Sequence, residues 1–298
     1  MSDLQLGALV QEAAERMEAA GLFFGHGTDN AFYEACWMAS HVLDLAPDFG
    51  PDAFLQSVGP ADRQRFDELL QRRIDTRQPL AYLIGEAWFA GLKFRVNRSV
   101  LVPRSPLAEL IVEGFEPWLA ASSLRRAVDV GTGSGCIAIA LAHHYPGVQV
   151  DAVDVSAEAL ALAVENVRAH GLTERVRLIE SDLLQALPDP VYDLILANPP
   201  YVPEASMDTL PPEFGWEPRL GLVAGEDGLD LVRRLVVQAA ERLSPHGILV
   251  CEVGEAAAAL DAWLADEPVT WLEFAHGGDG VFVLDREACR RVAGADRA

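Results

Sequence analysis

The sequence predicts an α/β fold: an open, mainly parallel sheet covered by helices, with a small helical domain ahead of it and a β-hairpin as connector. Three observations predict this. Short apolar runs rich in Val, Ile and Ala alternate with amphipathic stretches between residues 127 and 253, the rhythm of strand–helix–strand crossovers. Residues 1–83 carry apolar positions at helical spacing. Between these regions, residues 84–106 show two short apolar runs about Ala90-Gly91 and then a proline-bounded segment. The limits expected are therefore 1–83 for a helical domain, 84–106 for the connector and 107–298 for the α/β domain.

In chain order, Leu6, Leu9, Val10, Ala13, Ala14 and Met17 lie on one helical face, so residues 4–20 form an amphipathic helix that Gly21 ends. A second helix spans 29–45, capped by Thr28 or Asp29, before Pro47 and Pro51 break the chain. Pro60 opens a third, with Phe66, Leu69, Leu70 and Ile74 on its buried face. The hairpin pairs 84–89 with 92–96. Pro103-Arg104-Ser105-Pro106 is a rigid lead-in to a helix over 107–118, and Arg104 either addresses a carbonyl or carboxylate through its planar fork or forms a structural ion pair.

The α/β region then reads strand 127–130, helix 136–143, strand 148–153, helix 156–170, strand 175–180 and strand 192–197. Residues 202–228, punctuated by four prolines and four glycines, form a long loop with acidic side chains beside the fourth strand. A helix over 229–243, a strand over 247–253 and a terminal pair at 269–274 and 280–284 complete the sheet.

Chemistry gathers at the carboxyl ends of these strands, where open α/β sheets bind ligands. Asp129 closes the first strand before Gly131-Thr132-Gly133-Ser134-Gly135; such a turn brings main chain close to a ligand and aims free helix N–H groups at it. A dinucleotide fingerprint needs glycine at position 136, where the chain has Cys136. Asp154, at the end of the second strand, is placed for the two hydroxyls of a ribose, and Asp182, after the third, for an exocyclic amine. Either acid alone also reads as a cap or turn residue.

Asn198-Pro199-Pro200-Tyr201 follows the fourth strand. The Asn198 side-chain oxygen and the Pro199 carbonyl are two acceptors able to hold both hydrogens of a flat –NH2 group, and Tyr201 offers an aromatic face. Such a grip orients a poorly nucleophilic nitrogen toward an electrophile.

Asp129-Val-Gly-Thr-Gly-Ser-Gly-Cys-Ile-Ala-Ile-Ala, Asp154, Ser181-Asp182 and Asn198-Pro-Pro-Tyr together resemble a class I methyltransferase of the protein-glutamine amide-nitrogen group. Residues 77–85, 88–94 and 100–104 are similar to the segment preceding the catalytic domain in that group, so the resemblance covers most of the chain. It implies a seven-stranded, Rossmann-like sheet and S-adenosyl-L-methionine as cofactor, held by Asp129, Gly131, Thr132, Gly133, Ser134, Gly135, Asp154, Asp182, Leu183 and Asn198. Asn198, Pro199, Pro200 and Tyr201 are the implied catalytic clamp, which with Arg104 would bind substrate. Pro103-Arg104-Ser105-Pro106-Leu107-Ala108-Glu109-Leu110 and residues 24–31 resemble the branch that modifies large-subunit ribosomal protein three (uL3) rather than the one acting on the GGQ glutamine of release factors.

The net charge of −22 opposes nucleic-acid binding at long range and suits a basic protein partner. Methylation of an adenine amine, which uses a similar clamp, and a non-catalytic assembly role are the alternatives. Cys36, Cys136, Cys251 and Cys289 are dispersed with no zinc-type spacing, so reduced thiols and no metal are expected. Met1-Ser2-Asp3-Leu4 shows no basic leader and no apolar run reaches bilayer length, which points to the cytoplasm. His26, between glycines, reads as a turn residue.

Overall fold

The computed structural model describes residues 4–187, 191–264 and 267–295, and divides into two compact units. Residues 1–3, read as free of a basic leader, lie outside the described residues.

The first unit comprises 1–87 together with 211–216. A short strand pair, β1 (Leu4–Gln5) with β2 (Ser57–Val58), accompanies α1 (Leu6–Ala19), α2 (Ala31–Leu43), α3 (Pro60–Thr76) and α4 (Leu80–Ile84). All six apolar positions expected along α1 are buried and join Met38, Phe66 and Leu70 in one core. Asn30, not Thr28 or Asp29, caps α2: its Oδ1 accepts the Tyr33 N–H at 2.9 Å, because an Asx side chain reaches the N–H three residues on.

Among these helices lies a buried charge cluster that helical periodicity does not reveal. Arg73, wholly buried, donates from Nε to Glu34 at 2.7 Å and from Nη2 to the Phe23 carbonyl at 3.0 Å. Glu213, returned to this unit by segment 211–216, takes the Phe23 N–H at 3.0 Å and pairs with Arg77 at 2.8 Å. The boundaries read from sequence at 83/84 and 106/107 omit this return segment, because nothing in local composition marks a loop residue as the counter-ion of a distant helix.

The hairpin β3 (Glu86–Phe89) and β4 (Leu92–Arg95) leads to the second unit. Its turn is Ala90-Gly91, both at positive φ (49° and 75°), the geometry that matches strand twist in a two-residue loop. The chain continues through α5 (Leu107–Glu113), β5 (Arg126–Val130), α6 (Cys136–His144), β6 (Gln149–Asp154), α7 (Ala157–Ala169), β7 (Val176–Glu180) and β8 (Tyr192–Ala197). Then come α8 (Asp230–Arg242), β9 (Leu243–Glu252), α9 (Ala257–Trp263), β10 (Thr270–Trp271), β11 (Val281–Asp285) and α10 (Arg286–Ala295).

The seven strands run β10-β11-β9-β8-β5-β6-β7, parallel from β7 to β9, with β11 antiparallel to both its neighbours. Central strands are buried on both faces: Leu194 and Leu196 pack with α5 to α7, Ile195 and Ala197 with α8 to α10. That explains their continuous apolar runs. Helix α6 is apolar on all sides and buried from Cys136 to Ala142.

Three departures from the sequence reading have local causes. Helix α5 ends at Glu113 because Gly114 takes φ 109°, so the expected turns to residue 118 do not form. The loop over 202–228 contains 3-10 turns at Glu204–Thr209, Pro212–Trp216 and Arg219–Gly221. Helix α10, not foreseen, follows β11 directly, and Asp285 caps it by accepting the Ala288 N–H at 2.7 Å.

Candidate active site

The order of the sheet reverses at β5, whose neighbours are β6 and β8. Crossovers leave in opposite directions there, opening a crevice at the strands' carboxyl ends. Into it the chain delivers the glycine turn from β5, Asp154 from β6 and Asn198 from β8, all within the second unit.

Asp129 is fully buried at the end of β5. Its Oδ2 accepts from Thr132 Oγ1 at 2.6 Å and from the Ala138 N–H at 3.1 Å, tying the turn to the first turn of α6. Its Oδ1 is buried with no hydrogen-bond partner. Burial raises its pKa to about 7, against the pull of those two donors. This open acceptor has room for one more donor, which a ligand in the crevice can supply.

Gly131, Gly133 and Gly135 take φ of 73°, 53° and 82°, which lets the turn double back in five residues. A Cβ on Gly131 would stand 3.8 Å from the Asn198 carbonyl, so the turn and the clamp are neighbours, as the pairing of Val130 with Ala197 requires. Asp154 braces the turn from the other side: Oδ2 accepts the Gly133 N–H and Oδ1 the Ser156 N–H, each at 2.9 Å, and burial raises its pKa. Each oxygen retains a lone pair for a hydroxyl. Asn166 of α7 completes the frame, donating to the Ser134 carbonyl at 2.8 Å and exchanging two bonds with Arg95 of β4.

Beyond β7, Ser181 Oγ donates to the Leu183 carbonyl at 2.7 Å and holds Leu183 at φ 52°. A buried leucine in the left-handed region is strained by about 1–2 kcal/mol, and such strain gathers at binding sites. Asp182 is half exposed and its Oδ2 meets Arg234 at 2.5 Å.

Asn198 is half-buried, and among the described residues no hydrogen bond occupies its carboxamide. Pro199 is buried behind it. Tyr201 is less open than a free stacking face: its ring lies against Gly254, where a Cβ would come within 2.6 Å of Cε2, and its hydroxyl donates to Glu252 Oε1 at 3.1 Å. The planar fork of Arg104 is taken by Glu217, through Nη1 at 2.5 Å and Nη2 at 2.7 Å, and Glu217 also accepts the Val102 N–H at 3.1 Å. Of its two sequence readings, the structural ion pair is the one formed.

The sequence reading thus brings Asp129, the glycine turn, Asp154 and Asn198 to one crevice. It missed Ser105, Asn166, Glu217 and Glu252. Glu252 had a signal: it ends an apolar strand at the same level as Asn198. Asn166 and Glu217 had none, since a polar residue on an amphipathic helix or an acid in an acidic loop is ordinary.

His26 is buried against Phe214 in the first unit, with ring centroids 4.8 Å apart. Three thiols are buried and Cys36 is partly exposed, all four free. Among the described residues no helix is long and apolar enough to cross a membrane.

Comparison with known proteins agrees with this geometry. Residues 109–210 match the family profile described as Methyltransferase small domain, and residues 8–85 that described as PrmC N-terminal domain. The hMettl16 catalytic domain, solved in complex with MAT2A 3'UTR hairpin 6, shares the fold at TM-score 0.52 and 20% identity, over 82% of this chain and 90% of that one. The ribosomal protein uL3 glutamine methyltransferase of Xanthomonas campestris pv. campestris is 48% identical over 95% of this chain and 91% of its own length. The protein of the same name from Bordetella pertussis is 46% identical over 94% of each. With that identity sustained from the helical unit through the methyltransferase sheet, the chain belongs to the family of ribosomal protein uL3 glutamine methyltransferases.

Proposed function

We propose that this chain transfers a methyl group from S-adenosyl-L-methionine to the side-chain amide nitrogen of a glutamine in ribosomal protein uL3. The observation that carries the chemistry is the pairing of Val130 with Ala197, which sets the glycine turn and the main chain of Asn198 side by side. Relatives of that name at 46–48% identity carry the choice of substrate.

The crevice fits the cofactor. Asp129 Oδ1 offers a buried anionic acceptor suited to an ammonium, Asp154 suits the ribose hydroxyls, and the glycine turn leaves main chain accessible. Beyond β7, the strained Leu183 backbone and Asp182 form the adenine end, with Asp182 shared with Arg234. When bound, S-adenosyl-L-methionine supplies a sulfonium-borne methyl group.

The rest falls to the protein. Asn198 Oδ1 and the Pro199 carbonyl each accept one hydrogen of the glutamine –NH2, which turns the nitrogen lone pair out of conjugation and toward the methyl carbon. Pro199 cannot compete as a donor, and its fixed φ holds that carbonyl in place. The proton leaves the nitrogen after transfer, when methylation has made it acidic. Arg104 keeps its place as a support of the lead-in segment through Glu217.

Substrate recognition we assign to residues 1–83, with the hairpin as connector and 107–298 as the transfer domain. No Lys or Arg lies between Arg16 and Arg63, while Phe32, Tyr33 and Leu55 are exposed in that stretch beside Asp29, Asp48 and Asp52. An acidic surface with apolar anchors suits a basic ribosomal protein. The same charge opposes the reading as an adenine methyltransferase.

Incubating the purified protein with labelled cofactor and, separately, uL3 and a release factor tests this. Mass spectrometry should find the added methyl on a uL3 glutamine; methylation of the release factor alone would overturn the substrate.

A further inference from the structure

Glu252 ends β9 one residue past Cys251, which pairs with Ala197. It therefore stands at the same level of the sheet as Asn198, on the adjacent strand. Only 6% of its surface is exposed, and it accepts two hydroxyl hydrogens: Ser105 Oγ to Oε2 at 2.6 Å and Tyr201 Oη to Oε1 at 3.1 Å. One side chain thus joins the last residue of the clamp to the lead-in segment before α5. Ser105 is held in turn, accepting the Leu107 N–H at 3.2 Å.

Two glycines let the chain close on Tyr201. A Cβ on Gly228 would come within 2.1 Å of the Tyr201 carbonyl, and one on Gly254 within 2.6 Å of its ring. Immediately after it, Val202 donates to the Leu222 carbonyl at 2.8 Å. Main chain and ring of Tyr201 are thus closely packed, and its hydroxyl is held by Glu252.

Stability alone does not account for a carboxylate here. An apolar trio of similar volume would fill the space without the desolvation that an acid suffers, and buried acids are poor stabilisers for that reason. Burial raises the Glu252 pKa, while Ser105, Tyr201 and nearby Arg104 lower it, so its neighbours favour the charged form. A charged acceptor locks two hydroxyl rotors at once, which a neutral side chain does less well.

We propose that Glu252 is a positioning residue for methyl transfer, acting through Tyr201 to hold the Asn198–Pro199 acceptors in register with the transfer direction. This rests on the methyltransferase reading above and adds to it a residue outside the clamp motif. Its action is on orientation, so it affects turnover and leaves cofactor affinity largely alone.

Glu252→Gln, Tyr201→Phe and the double variant of the full chain test it, with steady-state methyl transfer to uL3, calorimetric cofactor binding and thermal unfolding measured on each. Glu252→Gln should lower kcat by about tenfold to a hundredfold with KM and Kd for the cofactor within about threefold. In the Tyr201→Phe background the same change should cost less than about threefold, because the bond it acts through is gone. Full additivity, an unchanged kcat, or a kcat loss matched by cofactor release would overturn the proposal.

Should uL3 accept no methyl from the unaltered protein, the substrate assignment fails and Glu252 is judged by hydrogen exchange. Faster exchange confined to residues 196–203 in Glu252→Gln upholds its role. Unchanged exchange there, or loss of protection across the whole sheet, sinks it. Ser105→Ala, the milder truncation, provides the same reading if Glu252→Gln fails to fold.

Discussion

In the helical unit, buried Arg73 lies between Glu34 and Glu213, and Arg77 closes on Glu213, so each buried carboxylate faces a guanidinium. At the carboxyl ends of β5 and β6, Asp129 and Asp154 accept only hydroxyl and amide hydrogens, and no cation contributes to the environment of either. Both clusters bury acids in the same chain. The first is balanced in charge, although Glu213 Oε2 and Arg73 Nη1 also have no hydrogen-bond partner, whereas no cation faces the open acceptor of the second, Asp129 Oδ1. Burying charge without a partner is costly, and a fold retains such a group where a ligand will complete it. A sulfonium cofactor carrying an ammonium group is such a ligand.

Breaking the balanced cluster should have the largest effect. Arg73→Met strands Glu34 in an apolar core, leaves Glu213 with Arg77 alone, and should cost about 3–5 kcal/mol of stability, read as a lower denaturation midpoint. A loss under 1 kcal/mol would mean that water already reaches the cluster. At the open cluster the expected damage is to rate. Asn198→Ala should reduce kcat by about tenfold to a thousandfold with a much smaller change in cofactor affinity, as loss of one or two orienting bonds implies; near-normal turnover would remove the clamp from the mechanism.

Titration sharpens the contrast further. Asp129, with its pKa at about 7, carries a proton in the free protein below neutrality. A cation needs the ionised form, so binding at lower pH must expel that proton. Affinity for the cofactor should rise as pH climbs from about 5.5 to 7, by at most about tenfold per pH unit. Asp129→Asn should flatten the profile in calorimetry, and a flat profile in the unaltered protein would contradict the assignment. Smallest of all, Asn30→Ala removes the α2 cap and should cost about 1 kcal/mol in thermal unfolding with no change in cofactor affinity.

Legibility in the sequence followed the range of the interactions concerned. Strands β5 to β9 and their helices stood out because each is a local pattern, and Asp129, Gly131 to Gly135, Asp154 and Asn198 stood out because each sits at the end of one. Helix α10 was legible but unread: Asp285 and the buried Ala288, Cys289, Val292 and Ala293 form an ordinary cap and stripe. By contrast, Glu213 is an acid in an acidic loop, and only the fold reveals that Arg77 and Arg73 await it. Glu252 is intermediate. Its place at a strand end was visible, but its partners Ser105 and Tyr201 lie 147 and 51 residues away.

Segment 211–216 belongs to the helical unit although it follows the clamp in the chain. During vectorial synthesis, the first 87 residues therefore emerge with Glu34 available to Arg73 but with Arg77 still lacking Glu213, and four parallel strands are made before that acid arrives. An isolated fragment of residues 1–87 is thus an unfinished object, missing the segment that carries Glu213 and with it a piece of its own interior.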